Sequence, residues 1–259
     1  MTYEQLLQRL DAGKIPDLGD VLGNAFELYK KTWLHGFLYV LLSFILVAPA
    51  LLIIYFPILG AAIFDAQGYD PADVIESMPA ISIISMTLLF LVVMIFVQAI
   101  VMALQAGLYR LFAAAEKGEE VKAGILFTFL KGRYLGKTFL LSLIAMLIAL
   151  LATAMCVLPV IYVSVPIYFF AAVFAFHPDF SAGQIVRAAF RLGNKTWIVS
   201  FVLIILSSLI AQMVGFLACG VGVLFTSAFV YMTIYNIYKG VVSGGDEGGE
   251  PGINIGTNV

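Results

Sequence analysis

Six stretches of this chain, each about 17 to 29 residues long, contain no Asp, Glu, Lys or Arg. Roughly twenty apolar residues in helical conformation cross the hydrocarbon core of a bilayer. The first stretch runs from Leu34 to Ala62 and carries Pro49 and Pro57; the second runs from Ala80 to Leu108. The third covers Thr138 to Leu158, and the fourth follows at once from Val160 to Phe176 with Pro166 inside it. Trp197 to Leu217 is the fifth, and Gly222 to Tyr238 the sixth. The pattern predicts an all-α polytopic membrane protein, with six transmembrane helices arranged as three hairpins over residues 34–108, 138–176 and 197–238.

The polar intervals carry their own periodicity. Between Asp20 and Trp33, the residues Val21, Leu22, Ala25, Phe26, Tyr29 and Trp33 fall on one helical face, and Asp20, Asn24, Glu27, Lys30 and Lys31 on the other. Before the fifth stretch, Ser181 and Gln184 read as a capping box. Gln184, Arg187, Arg191, Asn194 and Lys195 then form a polar stripe. Residues 122–137 divide less cleanly. These segments are expected to be amphipathic helices on the cytoplasmic leaflet, with packing on protein as the alternative. The chain then divides into N-terminal amphipathic helices (1–33), a membrane domain (34–240) and a Gly-rich cytoplasmic tail (241–259).

Composition agrees with burial in lipid. Of 259 residues, 62% are hydrophobic and 12% charged, with mean hydropathy +1.04; a soluble domain carries about 25% charged residues. The net charge of −2 is less informative than where the charges fall. Lys and Arg occupy positions 9, 14, 30, 31, 110, 117, 122, 131, 133, 137, 187, 191, 195 and 239, all on one side of a six-span topology. The positive-inside rule then places both termini in the cytoplasm. The N-terminus lacks a basic stretch followed by an apolar one, so no cleaved signal is expected.

One phrase occurs twice. Ala25–Phe37 and Ala189–Phe201 share the pattern A-F-x-L-x-x-K-T-W-[LI]-x-x-F, and a shorter copy follows Gly136. Thus Lys31-Thr32-Trp33, Lys137-Thr138-Phe139 and Lys195-Thr196-Trp197 open the three hairpins. Lysine snorkels to headgroups, an aromatic ring prefers the interface, and threonine can cap a new helix. The three copies are read as interfacial anchors and as a three-unit internal repeat.

The stretches "PIYFFAAVFAFHPDFSAGQIVRAAFRLGNKTW" and "LYRLFAAAEKGEEVKAGILFTFLKGRY" resemble the broad class of bacterial six-helix membrane proteins that includes the YciC type. That class also includes the membrane domain fused to some glycerophosphodiester phosphodiesterases. The resemblance implies a fold in the bacterial inner membrane; it supplies no catalytic residues.

Reactive groups are sparse. His35, His177 and Asp179 could be imagined around a metal, but interfacial histidines are the ordinary reading, and no HExxH, GxSxG or P-loop pattern occurs. Asp65, Asp70, Asp73 and Glu76 lack EF-hand spacing, and Asp70-Pro71 reads as a helix start. Cys156 and Cys219 fall at extracytoplasmic ends, where they could pair or stay free. Within the spans, Gln98 and Gln105 share a face with Thr87. Gln212 and Ser208 stand beside a small-residue stripe of Ser200, Ser207, Ala211 and Gly215, and Ala145, Ala149 and Ala152 make a similar face. Such faces serve helix packing or, alternatively, a polar pathway.

Spans free of Asp, Glu, Lys and Arg weigh against proton coupling. The favoured expectation is a non-enzymatic membrane component, lipid-interacting or a partner in an assembly. A carrier for a neutral or amphiphilic solute comes next, cued by Gln98, Gln105 and Gln212; an intramembrane enzyme comes last. No cofactor, metal or nucleic acid is expected. Membrane lipids, anionic ones included, and other membrane proteins are the expected partners.

Overall fold

Thr2 starts the first helix by the same device expected at Ser181. Its hydroxyl accepts from the Gln5 amide at 3.3 Å, while its own N–H donates to Gln5 Oε1 at 2.8 Å, opening α1 (Tyr3–Ala12). The computed structural model describes residues 1–67, 79–155, 157–217, 220 and 222–244. Among these it is all-helical, with no strand.

After Pro16, the Asp17 carboxylate accepts from the Gly19 amide at 2.8 Å, and α2 runs without interruption from Leu18 to Ala66. The expected amphipathic segment and first span are therefore one 49-residue helix. No residue between Asp20 and Leu34 breaks the backbone, and the apolar face of the first turns leads directly into the apolar run. The second span is extended too. Helix α3 (Ala80–Glu116) continues past Leu108, because Ala99 and Met102 to Ala115 supply a buried face with only Gln105 and Arg110 partly exposed. It ends where Gly118 adopts φ 73° and the Glu119 amide reaches back to the Ala114 carbonyl at 3.1 Å, a left-handed C-terminal turn.

Residues 122–137 do not form one amphipathic helix. A 3₁₀ segment (Ala123–Leu130) folds back on α3, so close that a side chain on Gly107 would lie 2.3 Å from the Leu126 carbonyl oxygen. Helix α4 (Gly132–Ala154) follows, and α5 (Val157–Phe176) returns along it, with Tyr134 against Phe174. Helix α6 (Ala182–Lys195) has the expected capping box. Its apolar face (Ile185, Ala188, Ala189 and Leu192) is buried in protein. Helix α7 (Trp197–Leu217) presents Ser200, Ser207, Ala211 and Gly215 as a buried stripe. Against that stripe the chain turns back, with Thr226 donating to the Ala211 carbonyl at 2.6 Å.

The sixth apolar stretch is interrupted. It forms α8 (Gly222–Thr226) and α9 (Phe229–Ser243), separated by a turn at Ser227 and Ala228. Five described helices are long and apolar enough to cross a membrane, within α2, α3, α4, α5 and α7.

Burial divides the molecule lengthwise. Large buried side chains, including Leu10, Tyr109, Phe112, Phe129, Phe170, Phe174, Tyr235 and Tyr238, gather where the Lys and Arg residues lie. At the opposite ends, Leu52, Leu59, Ile81, Leu88, Phe216 and Leu217 are exposed. A packed head thus carries helices whose outer ends meet the surroundings with apolar side chains. Asp70, Asp73 and Glu76, the Cys156–Cys219 pair and the tail beyond residue 244 lie outside the described residues.

Candidate functional site

The three copies of the repeated phrase differ in what they touch. In the two full copies the i, i+3, i+7 positions form one buried face: Ala25, Leu28 and Thr32 on α2, and Ala189, Leu192 and Thr196 on α6. All three threonines are buried, and each hydroxyl donates to a carbonyl of the preceding turn. Thr32 reaches Leu28 at 2.8 Å, Thr138 reaches Leu135 at 3.0 Å, and Thr196 reaches Leu192 at 2.9 Å. None of the three caps a new helix. Thr32 and Thr138 lie inside uninterrupted helices, so no free N-terminal amide faces them. The Thr196 hydroxyl closes α6 and accepts from Ser200 Oγ at 2.9 Å.

The lysines diverge further. Lys31 is exposed on α2. Lys137 donates to the Pro178 carbonyl. Lys195 is turned into protein: its ammonium donates to the carbonyls of Leu10 and Asp11, both at 2.7 Å, and to that of Gly13. Leu10 and Asp11 lie in the last turn of α1, whose carbonyls lack intrahelical partners and carry the negative end of the helix dipole, and Gly13 caps it. Arg191 forks onto the Asp11 carboxylate, and Tyr3 packs edge-on against Phe180 at 5.7 Å. Helix α1 is therefore strapped along α6. Space is tight at its end, since a side chain on Gly13 would strike the Val241 carbonyl of α9.

The aromatic members part company too. Trp33 is half-exposed and leans on Phe225 at 6.1 Å; Phe139 meets Phe96 at 5.1 Å. Trp197 donates from its indole N–H to the Tyr162 carbonyl at 3.1 Å and stacks on Phe201 at 5.0 Å. The Tyr162 hydroxyl donates to Asn194 Oδ1 at 2.7 Å. Around these residues lies a groove of about 720 Å³, floored by Leu158, Ile161 and Ile198 and flanked by Asn194, Lys195 and Trp197. It lies where the amphipathic α6 hands over to the apolar α7. With its three N–H donors engaged by carbonyls, Lys195 has none left to offer a ligand there.

The candidate polar face is not assembled. Gln98 and Gln212 are exposed on α3 and α7, and Gln105 donates to the Tyr109 hydroxyl at 3.0 Å on its own helix. The small-residue stripe of α7 instead serves close approach: a side chain on Gly215 would meet the Val223 backbone at 2.6 Å.

Sequence reasoning passed over the polar contacts within the head. Arg110 donates to the Ala175 carbonyl at 2.9 Å and lies over the Phe129 ring at 4.8 Å. Glu116 accepts from both the Tyr235 hydroxyl and Lys239, each at 2.8 Å. His177, beside the Tyr238 hydroxyl at 2.9 Å and stacked on Phe180, has its pKa lowered to about 4 by burial and by the nearby amino terminus. Asp179 instead lies near Arg133, at 3.8 Å. Among the described residues, no three His, Cys, Asp or Glu side chains are grouped to hold a metal.

Comparison with family models, curated proteins and solved structures returns no match.

Proposed function

We propose that this chain is a multi-pass component of a cytoplasmic membrane that acts without catalysis, through contacts with lipid and with partner proteins. The observation that supports it most is the lengthwise division of burial. A head packed through aromatic and aliphatic side chains bears the Lys and Arg residues, and the opposite ends, free of Lys and Arg among the described residues, expose Leu, Ile and Phe in quantity. A soluble protein would hide such a surface, whereas lipid needs no cover for it. The one-sided bases put that head and both termini in the cytoplasm, as the resemblance to the YciC type implies for a bacterial inner membrane.

Six crossings, as three hairpins, are the simplest count from the apolar stretches. The interfacial phrase divides its roles in this reading: Trp33 and Trp197 contact the headgroup region, while the threonines pack. The alternative of a solute carrier draws on Gln98, Gln105 and Gln212, which are not gathered around one cavity. Reconstitution into proteoliposomes separates the two. A membrane component gives no uptake of neutral solutes such as glycerol or amino acids beyond that of empty vesicles. Saturable, protein-dependent uptake would replace this reading with the carrier.

A further inference from the structure

We propose that α4, α5 and α6 together form a docking surface for the cytoplasmic leaflet, with the α4–α5 hairpin entering and leaving the membrane on the cytoplasmic side. Helix α5 then lies along the surface beneath α6 instead of crossing. The inference rests on the membrane reading above and changes only its count of crossings, to four, through α2, α3, α7 and the interrupted α8–α9.

The first observation is the register between α5 and α6. Tyr162 touches Trp197, Pro166 is in backbone contact with Gly193, and Phe170 meets Phe190. Each step forward on α5 is a step back on α6, so the two are antiparallel along the second half of α6. Wherever α5 goes, Arg187, Arg191 and Asn194 go with it, all three exposed. If α5 crossed the bilayer, these side chains would be carried toward the hydrocarbon on a helix whose apolar face is already spent on protein. Exposed guanidinium groups at that depth are disfavoured. Helix α1, strapped to the same helix through Asp11 and Lys195, adds a second polar layer.

The second observation is independent of charge. Helices α7 and α8–α9 are antiparallel, fixed by Thr226 against Ala211 and Val223 against Gly215. The start of α7 therefore lies beside the end of α9. Lys195 reaches Gly13, and Gly13 abuts Val241. Both ends of α5 meet this same region. Tyr162 holds the indole of Trp197, the first residue of α7, whereas Phe176 stacks on Tyr238 at 5.3 Å and His177 reaches the Tyr238 hydroxyl. Fourteen residues of helix separate Tyr162 from Phe176, about 21 Å. A helix of that length with both ends at one level of α7 and α9 runs across them. If α7 crosses the membrane, α5 lies near its plane.

The surface suits such a position. Leu140, Leu147, Leu150 and Leu151 form an exposed apolar face on α4, and Met155 and Leu158 continue it around the hairpin turn. Tyr162 and Trp197 supply the aromatic belt, and the polar stripe of α6 faces water.

Single-cysteine proteins with Cys156 and Cys219 replaced by Ala give the test. A membrane-impermeant maleimide applied to the extracytoplasmic face should label Gly68→Cys and leave Ala154→Cys at background. Labelling of Ala154→Cys from that face would show the hairpin crossing and overturn the proposal. Outside labelling of Gly183→Cys would overturn the orientation itself, and the docking surface with it. Depth measurement by brominated phospholipids checks the same geometry without access to the turn. The Trp33→Phe protein reports the depth of Trp197. A second protein, with Trp33→Phe, Trp197→Phe and Phe139→Trp, reports the other end of α5. The two rings should lie within about one helical turn of each other in depth. A separation approaching the length of α5 would refute it.

Discussion

The ammonium of Lys195 lies 2.7 Å from the carbonyl oxygen of Leu10, 185 positions away in sequence, and binds the end of α1 as a cap. Two further carbonyls complete its coordination. The corresponding lysine of the other full copy, Lys31, is exposed on the side of a continuous helix.

The two copies should therefore respond differently to loss of charge. Charge-assisted hydrogen bonds contribute about 1.5–3 kcal/mol each when their removal strands a partner, and three carbonyls depend on Lys195. Lys195→Met should lower the unfolding temperature clearly and expose α1 to proteolysis at Lys14. Lys31→Met, on an open face, should stay within about 0.5 kcal/mol of the parent. Thermal unfolding in detergent, with limited trypsin digestion, reads both. Equal effects would return both lysines to a common anchoring role.

The buried His177 makes stability depend on pH. Its pKa falls from 6.5 unfolded to about 4 folded, so between those values the unfolded chain binds the extra proton. Stability is thus full above pH 6.5 and declines as pH falls toward 4, by up to about 3 kcal/mol. Unfolding temperatures across pH 4.5–7.5 should show this slope in the parent, and a His177→Gln protein should lose part of it. A parent protein with a flat profile across that window would contradict the burial of a neutral imidazole.

Much of the architecture was legible because it depends on periodicity. Five of the six apolar runs, the Ser181–Gln184 capping box and the small-residue stripe of α7 appear where the pattern of residues put them. What escaped reading was the relation between elements. Nothing local in "KTW" tells whether a lysine meets lipid phosphate or the carbonyls of a helix far away in sequence, and only the folded chain brings α1 to α6. The break at Ser227–Ala228 was equally hidden, since neither residue is a strong helix breaker and the turn is set by packing on α2, where Gly36 abuts Ala228. The common threonine looked like a cap because Thr caps helices in isolation. Its burial in all three copies instead fits a small residue at a packing contact.

The two tryptophans should differ as their surroundings do. Trp197 is only partly exposed, donates a hydrogen bond to Tyr162 and stacks on Phe201, whereas Trp33 is half-exposed against one ring. Full burial makes Trp→Ala worth about 3–5 kcal/mol; partial burial scales that down. Trp197→Ala should cost roughly twice what Trp33→Ala does, and neither should abolish membrane insertion. Carbonate extraction and thermal unfolding of both proteins would test the order. A greater loss from Trp33→Ala would place the stronger anchor on α2.

Two glycines of α6 give opposite expectations for the same substitution. Gly193 faces Pro166, and a side chain there would lie 2.8 Å from the proline Cα, 2.9 Å from its Cγ and 3.0 Å from its nitrogen. Those atoms belong to a ring and a backbone, so they cannot swing aside as a long side chain would. Pro166 also lacks an amide hydrogen, so α5 has no backbone bond to give there. Gly193→Ala must then push the two helices apart, an overpacking cost of about 1–3 kcal/mol. At Gly183, by contrast, no atom lies within 4 Å of the added methyl group. There the substitution removes backbone freedom from the unfolded chain and should stabilise by about 0.4–1 kcal/mol. Unfolding temperatures of the two single variants, compared in one detergent, therefore move in opposite directions. If Gly193→Ala were neutral, the close register of α5 against α6 would be lost, and with it the argument that the charged helix accompanies α5 wherever it lies.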